Sequence, residues 1–216
     1  MTIVKEYYPG SMFHPFKNRL FMESNQIDGV PDGITRLYYE NGTLKSEINY
    51  KNGIPDGVTK EYYENGKIEF EIHLRNGKQN GITKHYSVKG YLESEGSFQN
   101  GIQEGITRTY DEKGNLAMDI TYKNDKYDGI TKIYYNNGNI KSEKTFKDGI
   151  QIGIDKEYYE NGRIKKEYNF VSGRMEGICK IYDESGILLL ETEFINGEPV
   201  HRKEFYEVMK KFIKGT

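Results

Sequence analysis

Apolar and polar residues alternate along nearly the whole chain, in a pattern that resets every 24 residues. The reset point is a glycine: Gly33, Gly57, Gly81, Gly105, Gly129, Gly153 and Gly177. Each copy varies on Gly-Ile-Thr-Lys-x-Tyr-Tyr-x-x-Gly-x-Ile-x-x-Glu-x-x-Tyr-x-x-Gly-x-x-Asp, so residues 33–200 hold seven full copies. Two turn signals punctuate every copy. Glu-Asn-Gly at 40–42, 64–66 and 160–162 fits a three-residue hairpin loop whose glycine is left-handed. Asn-Gly at 52, 76, 100 and 196, relaxed to Asn124-Asp125, Asp148-Gly149 and Ser172-Gly173, returns the chain to the next copy. Between turns there is room for two strands of about five to seven residues. The predicted fold is therefore all-β: an elongated single-sheet array of antiparallel hairpins, about 14 strands and roughly 65 Å along at about 4.8 Å per strand. A repeat of this length denotes a stacked array in which each copy buries its apolar side against its neighbours.

Pairing each hairpin about its Glu-Asn-Gly loop sets Tyr38 opposite Leu44 and Ile34 opposite Ile48. That register gathers the apolar columns headed by Ile34, Tyr38, Leu44 and Tyr50 on one face. Two charged columns are as regular: Arg36, Lys60, Lys84, Arg108, Lys132, Lys156, Lys180, and Glu47, Glu71, Glu95, Asp119, Glu143, Glu167, Glu191. They read as cross-strand ion-pair ladders rather than as acid/base or calcium sites, because chemistry is expected where a repeat is broken and these columns never break. The same register nevertheless places the bases on the apolar face and the acids on the other. Either the basic stems snorkel between rings or a bulge shifts the register, and both alternatives stand.

The chain reads as one continuous domain in three parts. Residues 1–32 are a degenerate partial repeat and cap, since Val4 to Gly10 resembles Thr59 to Gly66 while Ser11 to Gln26 departs from the pattern. Residues 33–200 are the array. Residues 201–216 place Phe205, Val208, Met209 and Phe212 at helical spacing among lysines, which predicts a short C-terminal capping helix packed on Leu188-Leu189-Leu190.

Composition narrows the picture. One alanine, 24 Gly and 19 Tyr starve helices and suit strands closed by tight turns. Lys plus Arg number 31 against 33 Asp plus Glu, with the signs interleaved in every copy, so the usual electrostatic footprint of a nucleic-acid partner is missing. The lone Cys179 allows no intrachain disulfide and replaces the threonine of other copies, as a structural thiol would. The first residues carry no apolar run like that of a signal peptide, so a cytoplasmic location is expected; an upstream segment or export signal stays open.

No P-loop, GxSxG, HExxH, CxxC or EF-hand string occurs. His73 and His85 fall on neighbouring strands and, in this register, one face, without the spacing of a zinc site. No catalytic residue, metal ligand or cofactor is expected. The contact candidates are the second tyrosines, Tyr39, Tyr63, Tyr135 and Tyr159, with Leu37, Ile133 and Ile181 beside them on the face opposite the core tyrosines. They form either a ladder that holds the sheet or a stripe that binds a partner.

Units such as Gly57-Val-Thr-Lys-Glu-Tyr-Tyr-Glu-Asn-Gly-Lys-Ile-Glu-Phe-Glu-Ile and Gly153-Ile-Asp-Lys-Glu-Tyr-Tyr-Glu-Asn-Gly-Arg-Ile-Lys-Lys-Glu-Tyr resemble the MORN-repeat variant family, most of all its bacterial branch of YwqK-type antitoxins. The resemblance implies an extended run of β-hairpins and binding rather than catalysis. It points to a non-enzymatic scaffold for a protein partner, acting as an antitoxin or immunity protein against a cognate toxin. The alternative is a self-associating scaffold, such as a homodimer, or a peripheral membrane organiser using Lys203, Lys210, Lys211 and Lys214; membrane contact is disfavoured because one short helix binds lipid weakly. An enzyme is the third option and would need the segment 11–26, where His14 is the sole plausible base.

Overall fold

The computed structural model describes residues 1–8 and 19–204. Every regular element among them is a β-strand. The strands divide into two compact units, one of Met1–Gly105 with Glu112–Gly114, the other of Ile106–Asp111 with the residues from Asn115 onward. The first unit runs through Thr2–Tyr7, Leu20–Ile27, Val30–Tyr38, Leu44–Lys51, Gly57–Tyr62, Ile68–Arg75, Lys78–Tyr86 and Leu92–Gln99, and the second includes Leu116–Lys123, Lys126–Tyr134, Ile140–Lys147, Ile150–Tyr158, Ile164–Val171, Gly177–Tyr182, Leu188–Ile195 and Glu198–Glu204. Consecutive strands in each unit pair antiparallel, so the all-β hairpin array expected from the repeat is the architecture observed.

Both turn signals act as read. At the Glu-Asn-Gly end, the Tyr39 amide donates to Thr43 O at 2.8 Å and the Gly42 amide to Tyr39 O at 2.8 Å, with Gly42 at φ 88°. At the other end Asn52 and Gly53 both lie left-handed, at φ 50° and 77°, as a two-residue type I′ hairpin demands. Each such turn is tied to the turn before it. The Gly53 amide donates to Pro31 O at 2.7 Å, and the Asn52 amide to Asp32 Oδ2 at 3.0 Å, a pattern repeated by Asn76 with Asp56 and Asn196 with Glu176. In most copies the acidic or amide residue three places beyond this turn therefore caps the next turn along. Ser172 holds the same left-handed position at φ 50°, where asparagine or aspartate stands elsewhere. Asparagine tolerates that region better than serine. Ser172→Asn is expected to stabilise the protein by about 0.5 kcal/mol, read as a rise of about 1–2 °C in Tm.

The register departs from the simple hairpin expectation. Tyr38 does pair with Leu44, but a bulge follows, so that Leu37 meets Ser46, Arg36 meets Glu47, Thr35 meets Ile48 and Ile34 meets Asn49. The same shift occurs in the hairpins at Tyr62, Tyr86, Tyr134, Tyr158 and Tyr182. Ile34 is thus not opposite Ile48, and the four apolar columns do not share a face. Because side chains alternate, the Tyr50 column lies with Thr35, Leu37, Ser46 and Ile48, while Ile34, Arg36, Tyr38 and Glu47 lie on the other side. The bulge alternative, not snorkelling, places base and acid on one face and directly across from each other.

That second side is a ladder. Arg36 Nε lies 2.9 Å from Glu47, Lys60 3.6 Å from Glu71, Lys132 3.3 Å from Glu143 and Lys156 3.9 Å from Glu167. Into several of these acids the tyrosine of the next copy donates: Tyr86 to Glu71 at 3.0 Å, Tyr134 to Asp119 at 3.0 Å and Tyr158 to Glu143 at 2.8 Å. Burial, and then the hydrogen bond onto a carboxylate, push these three phenols up to about 12. Half-exposed ion pairs contribute only about 0.2–1 kcal/mol each, so the ladder's value lies in repetition and in fixing register.

The ends also differ from expectation. Leu20–Ile27 is a regular strand, paired with Thr2–Tyr7, although residues 11–26 read as irregular. Lys5 lies 3.3 Å from Glu23 and Tyr8 donates to Tyr38 O at 2.7 Å, so this hairpin carries the ladder contacts of a complete copy. Its two strands stand further apart in sequence than those of later copies, which hid the match. At the other end, residues 201–204 continue the strand Glu198–Glu204, which pairs with Leu188–Ile195, instead of starting a helix. Leu190 thereby meets a strand rather than a helical cap. The rest of the proposed helix, with Phe205, Val208, Met209 and Phe212, lies outside the described residues, as does His14.

Candidate binding face

The face that carries Thr35, Leu37, Ser46, Ile48 and Tyr50 differs from the ladder face in one respect that matters for function. On the ladder face the Ile34, Arg36, Tyr38 and Glu47 columns keep their chemistry from copy to copy. On this face three adjacent columns do not. The place of Leu37 is taken in later copies by Glu61, His85, Thr109, Ile133, Glu157 and Ile181. Beside it Ser46 becomes Phe70, Ser94, Met118, Ser142, Lys166 and Leu190, and Ile48 becomes Ile72, Gly96, Ile120, Lys144, Tyr168 and Thr192. These columns are cross-strand neighbours, as in Leu37 opposite Ser46, Phe70 opposite His85 and Met118 opposite Ile133. Most of these side chains are half-buried, and the column beside them is buried at Thr35, Thr59, Thr131 and Cys179.

The predicted contact residues fall on this face. Leu37 and Ile133 lie over the strands, and the second tyrosines stand at its Glu-Asn-Gly edge. Tyr39, with Leu37, Tyr8, Phe21 and Lys45, lines an open depression of about 400 Å³; Tyr135, with Ile133, Lys141 and Lys165, lines another of about 220 Å³. Ile181 is half-buried and opposite Leu190. The tyrosine hydroxyls, however, are committed to the fold. Tyr39 donates to Tyr62 O at 2.7 Å, Tyr63 to Tyr86 O at 2.8 Å, Tyr135 to Tyr158 O at 2.7 Å and Tyr159 to Tyr182 O at 2.8 Å. Lysine ammonium groups stand over three of the rings, Lys45 over Tyr39, Lys141 over Tyr135 and Lys165 over Tyr159. This row is a copy-to-copy ladder. Where the second tyrosine is missing, the replacement closes its own loop: Asp183 Oδ1 accepts from the amides of Ser185 and Ile187, both at 2.9 Å, and Ser87 Oγ accepts from the Tyr91 amide at 3.3 Å. Tyr135→Phe is expected to cost about 1 kcal/mol, the net value of one hydrogen bond, measured by urea denaturation.

One group on this face went unnoticed in the sequence. Asp155 stands where other copies place threonine, and it is buried, at 5 % exposure. Gln151 Nε2 donates to its Oδ2, while Oδ1 has no hydrogen-bond partner among the described residues. Burial raises the Asp155 carboxyl above its ordinary value, with Lys144, Gln151 and the Thr145 amide acting the other way. Tyr168 is directly across from it, and Glu157 opposite Lys166 lies alongside, with Lys166 Nζ 3.8 Å from Glu157 and 6.0 Å from the Tyr168 ring centroid. The available signal was the break in three columns at once, by Lys144, Asp155 and Lys166. Cys179, one strand further, is buried and its thiol is raised by that burial, as a structural thiol would be.

The two histidines separate. His73 Nδ1 donates to Ile82 O, 2.7 Å away, on the ladder face, whereas His85 stacks on Phe70 at 4.6 Å and lies 3.2 Å from Glu93 on the variable face. They were expected on one face, and the bulge is what parts them. Among the described residues no group of three or more His, Cys, Asp or Glu is placed to hold a metal ion.

A family model described as MORN repeat variant matches residues 31–52, 55–76, 103–124, 127–148, 152–172 and 175–196, together more than half of the sequence. A search among curated proteins finds no match. Among solved structures, a porin-like protein from Bacteroides uniformis is similar at 10% identity over 79% of this chain and 86% of that one, with a TM-score of 0.23. No helix among the described residues is long and apolar enough to cross a membrane.

Proposed function

The chain belongs to the MORN-repeat variant family, and from that premise we propose that it is a non-enzymatic scaffold that binds one protein partner along its variable face. The observation that supports this reading is the contrast between faces. A ladder face that repeats its ion pairs and tyrosines maintains the array, while a face whose three adjacent columns combine differently in each copy presents, within each unit, a surface that does not repeat. Repeat arrays that recognise a partner are built this way, because each copy contributes one row of the contact and the rows are read together.

The finer role we propose is that of an antitoxin or immunity protein, in the cytoplasm, with a cognate toxin as partner. It rests on the resemblance of the copies to the YwqK-type branch. An affinity-tagged chain expressed in its native host should recover a single stoichiometric protein. Substituting Leu37, Ile133 and Ile181 by serine should abolish recovery, while serine at Ile130 and Ile154 on the other face should leave it intact. Loss on the ladder face alone, or recovery only of the chain itself, would overturn the reading in favour of a self-associating scaffold. The antitoxin role is tested separately, by whether co-expression restores growth of cells that make the recovered partner.

A further inference from the structure

The depression around Asp155, about 310 Å³, is lined by Lys144, Gln151, Glu157, Tyr168, Phe170 and Met175. Its floor is a carboxylate with one oxygen paired to Gln151 and one unpaired. No lysine or arginine among the described residues forms an ion pair with it; Lys166 is engaged with Glu157, and Lys144 stays beyond ion-pair distance. A buried acceptor without a donor is costly, and the cheapest relief is a ligand that brings the donor. The walls narrow the choice of ligand. Tyr168, directly across from Asp155, and Phe170 beyond it offer aromatic surface, and Met175 adds a polarizable edge. A planar cation suits such walls, because a guanidinium stacks on rings while directing N–H groups at an oxygen in its plane.

We propose that this depression is the anchor site for an arginine side chain of the protein partner, with the guanidinium donating to Asp155 Oδ1 and lying against Tyr168. The inference rests on the partner-binding reading above and gives that partner's chemistry at one point: a protruding basic residue meeting the sixth copy. The volume admits a whole arginine side chain, and interface anchors of this type are commonly arginine set in a pocket with an acid. Lys144 at the rim opposes the incoming charge, so the site selects a cation that can also stack and donate, not positive charge in general.

Argininamide, titrated into the full chain and followed by amide chemical shifts, tests the site without requiring the partner. Saturable shifts centred on residues 151, 155, 168 and 170 are expected, with Asp155→Thr weakening them at least tenfold. Threonine occupies that position in five other copies, so the variant preserves the fold, and a thermal melt confirms it. Lys144→Ile, the residue found at Ile48, Ile72 and Ile120, should tighten binding several-fold by removing a like charge. Unsaturable shifts, unchanged binding in Asp155→Thr, or loss of binding in Lys144→Ile would each overturn the proposal, the last because Lys144 would then support the site instead of opposing the cation. If argininamide binds but no partner is recovered, the scaffold reading fails and the site stands; if a partner is recovered with undiminished affinity by Asp155→Thr, the reverse holds.

Discussion

Gly129→Ala should be among the most damaging single substitutions in the array, costing about 2–3 kcal/mol against only about 1 kcal/mol for Gly153→Ala. Both glycines belong to the series that marks the repeat, and both are left-handed, at φ 123° and 71°. They differ in what a side chain would meet. A Cβ on Gly129 would lie 3.0 Å from both Cβ and Cγ2 of Thr121 on the neighbouring strand, whereas nothing stands within 4 Å of one on Gly153. Thr121 cannot withdraw freely, because its hydroxyl donates to Ile130 O at 2.8 Å, one residue beyond the glycine. Backbone strain is therefore common to the two variants, and the clash is particular to Gly129. Urea denaturation of both separates the contributions. Equal losses would mean that strain alone explains the 24-residue glycine.

Asp155→Thr should act in the opposite sense, raising stability near pH 7 by about 1–2 kcal/mol, the scale of an unsatisfied buried polar group. Its dependence on pH follows from the direction of the shift. Burial raises the folded-state value of Asp155 above the unfolded one, so in the interval between them the folded chain binds more protons than the unfolded chain. Stability from this group then falls as pH rises through that interval, and the full penalty is present above it. The advantage of Asp155→Thr should shrink as pH is lowered through the carboxylate range and vanish below the unfolded value. A gain that stays constant from pH 7 down to pH 3 would show that the carboxylate charge is not its source. A native chain that keeps such a group where five copies have threonine keeps it at a cost in stability, which is what a binding residue, and not a packing residue, would be expected to carry.

The repeat was legible because its signals are local. Strand and turn assignments needed only the alternation, the Asn-Gly and Glu-Asn-Gly turns and the scarcity of helix formers, and they hold in every described copy. The second tyrosine row was legible as a column, and of its two readings the ladder is the one seen: Tyr39, Tyr63, Tyr135 and Tyr159 hold successive copies together. At residues 20–27 the local rule failed only because their strand stands further in sequence from its partner, Thr2–Tyr7, than the repeat allows.

What composition and spacing determined by themselves was the class of fold, the length of the unit, the position of each turn and the existence of matched acidic and basic columns. Which residues share a face was decided only in the tertiary structure. A single extra residue after Tyr38 inverts the inward and outward sense of the return strand's far half, since side chains alternate with a period of two. That one bulge, seen again at Tyr62, Tyr86, Tyr134, Tyr158 and Tyr182, sets Arg36 across from Glu47, moves the Tyr50 column away from Ile34, parts His73 from His85, and leaves the buried Asp155 across from Tyr168 on the face left free to vary. Turn type and alternation are written in neighbouring residues, but a bulge is the compromise between two hydrogen-bonded strands, and its position exists only once they are paired.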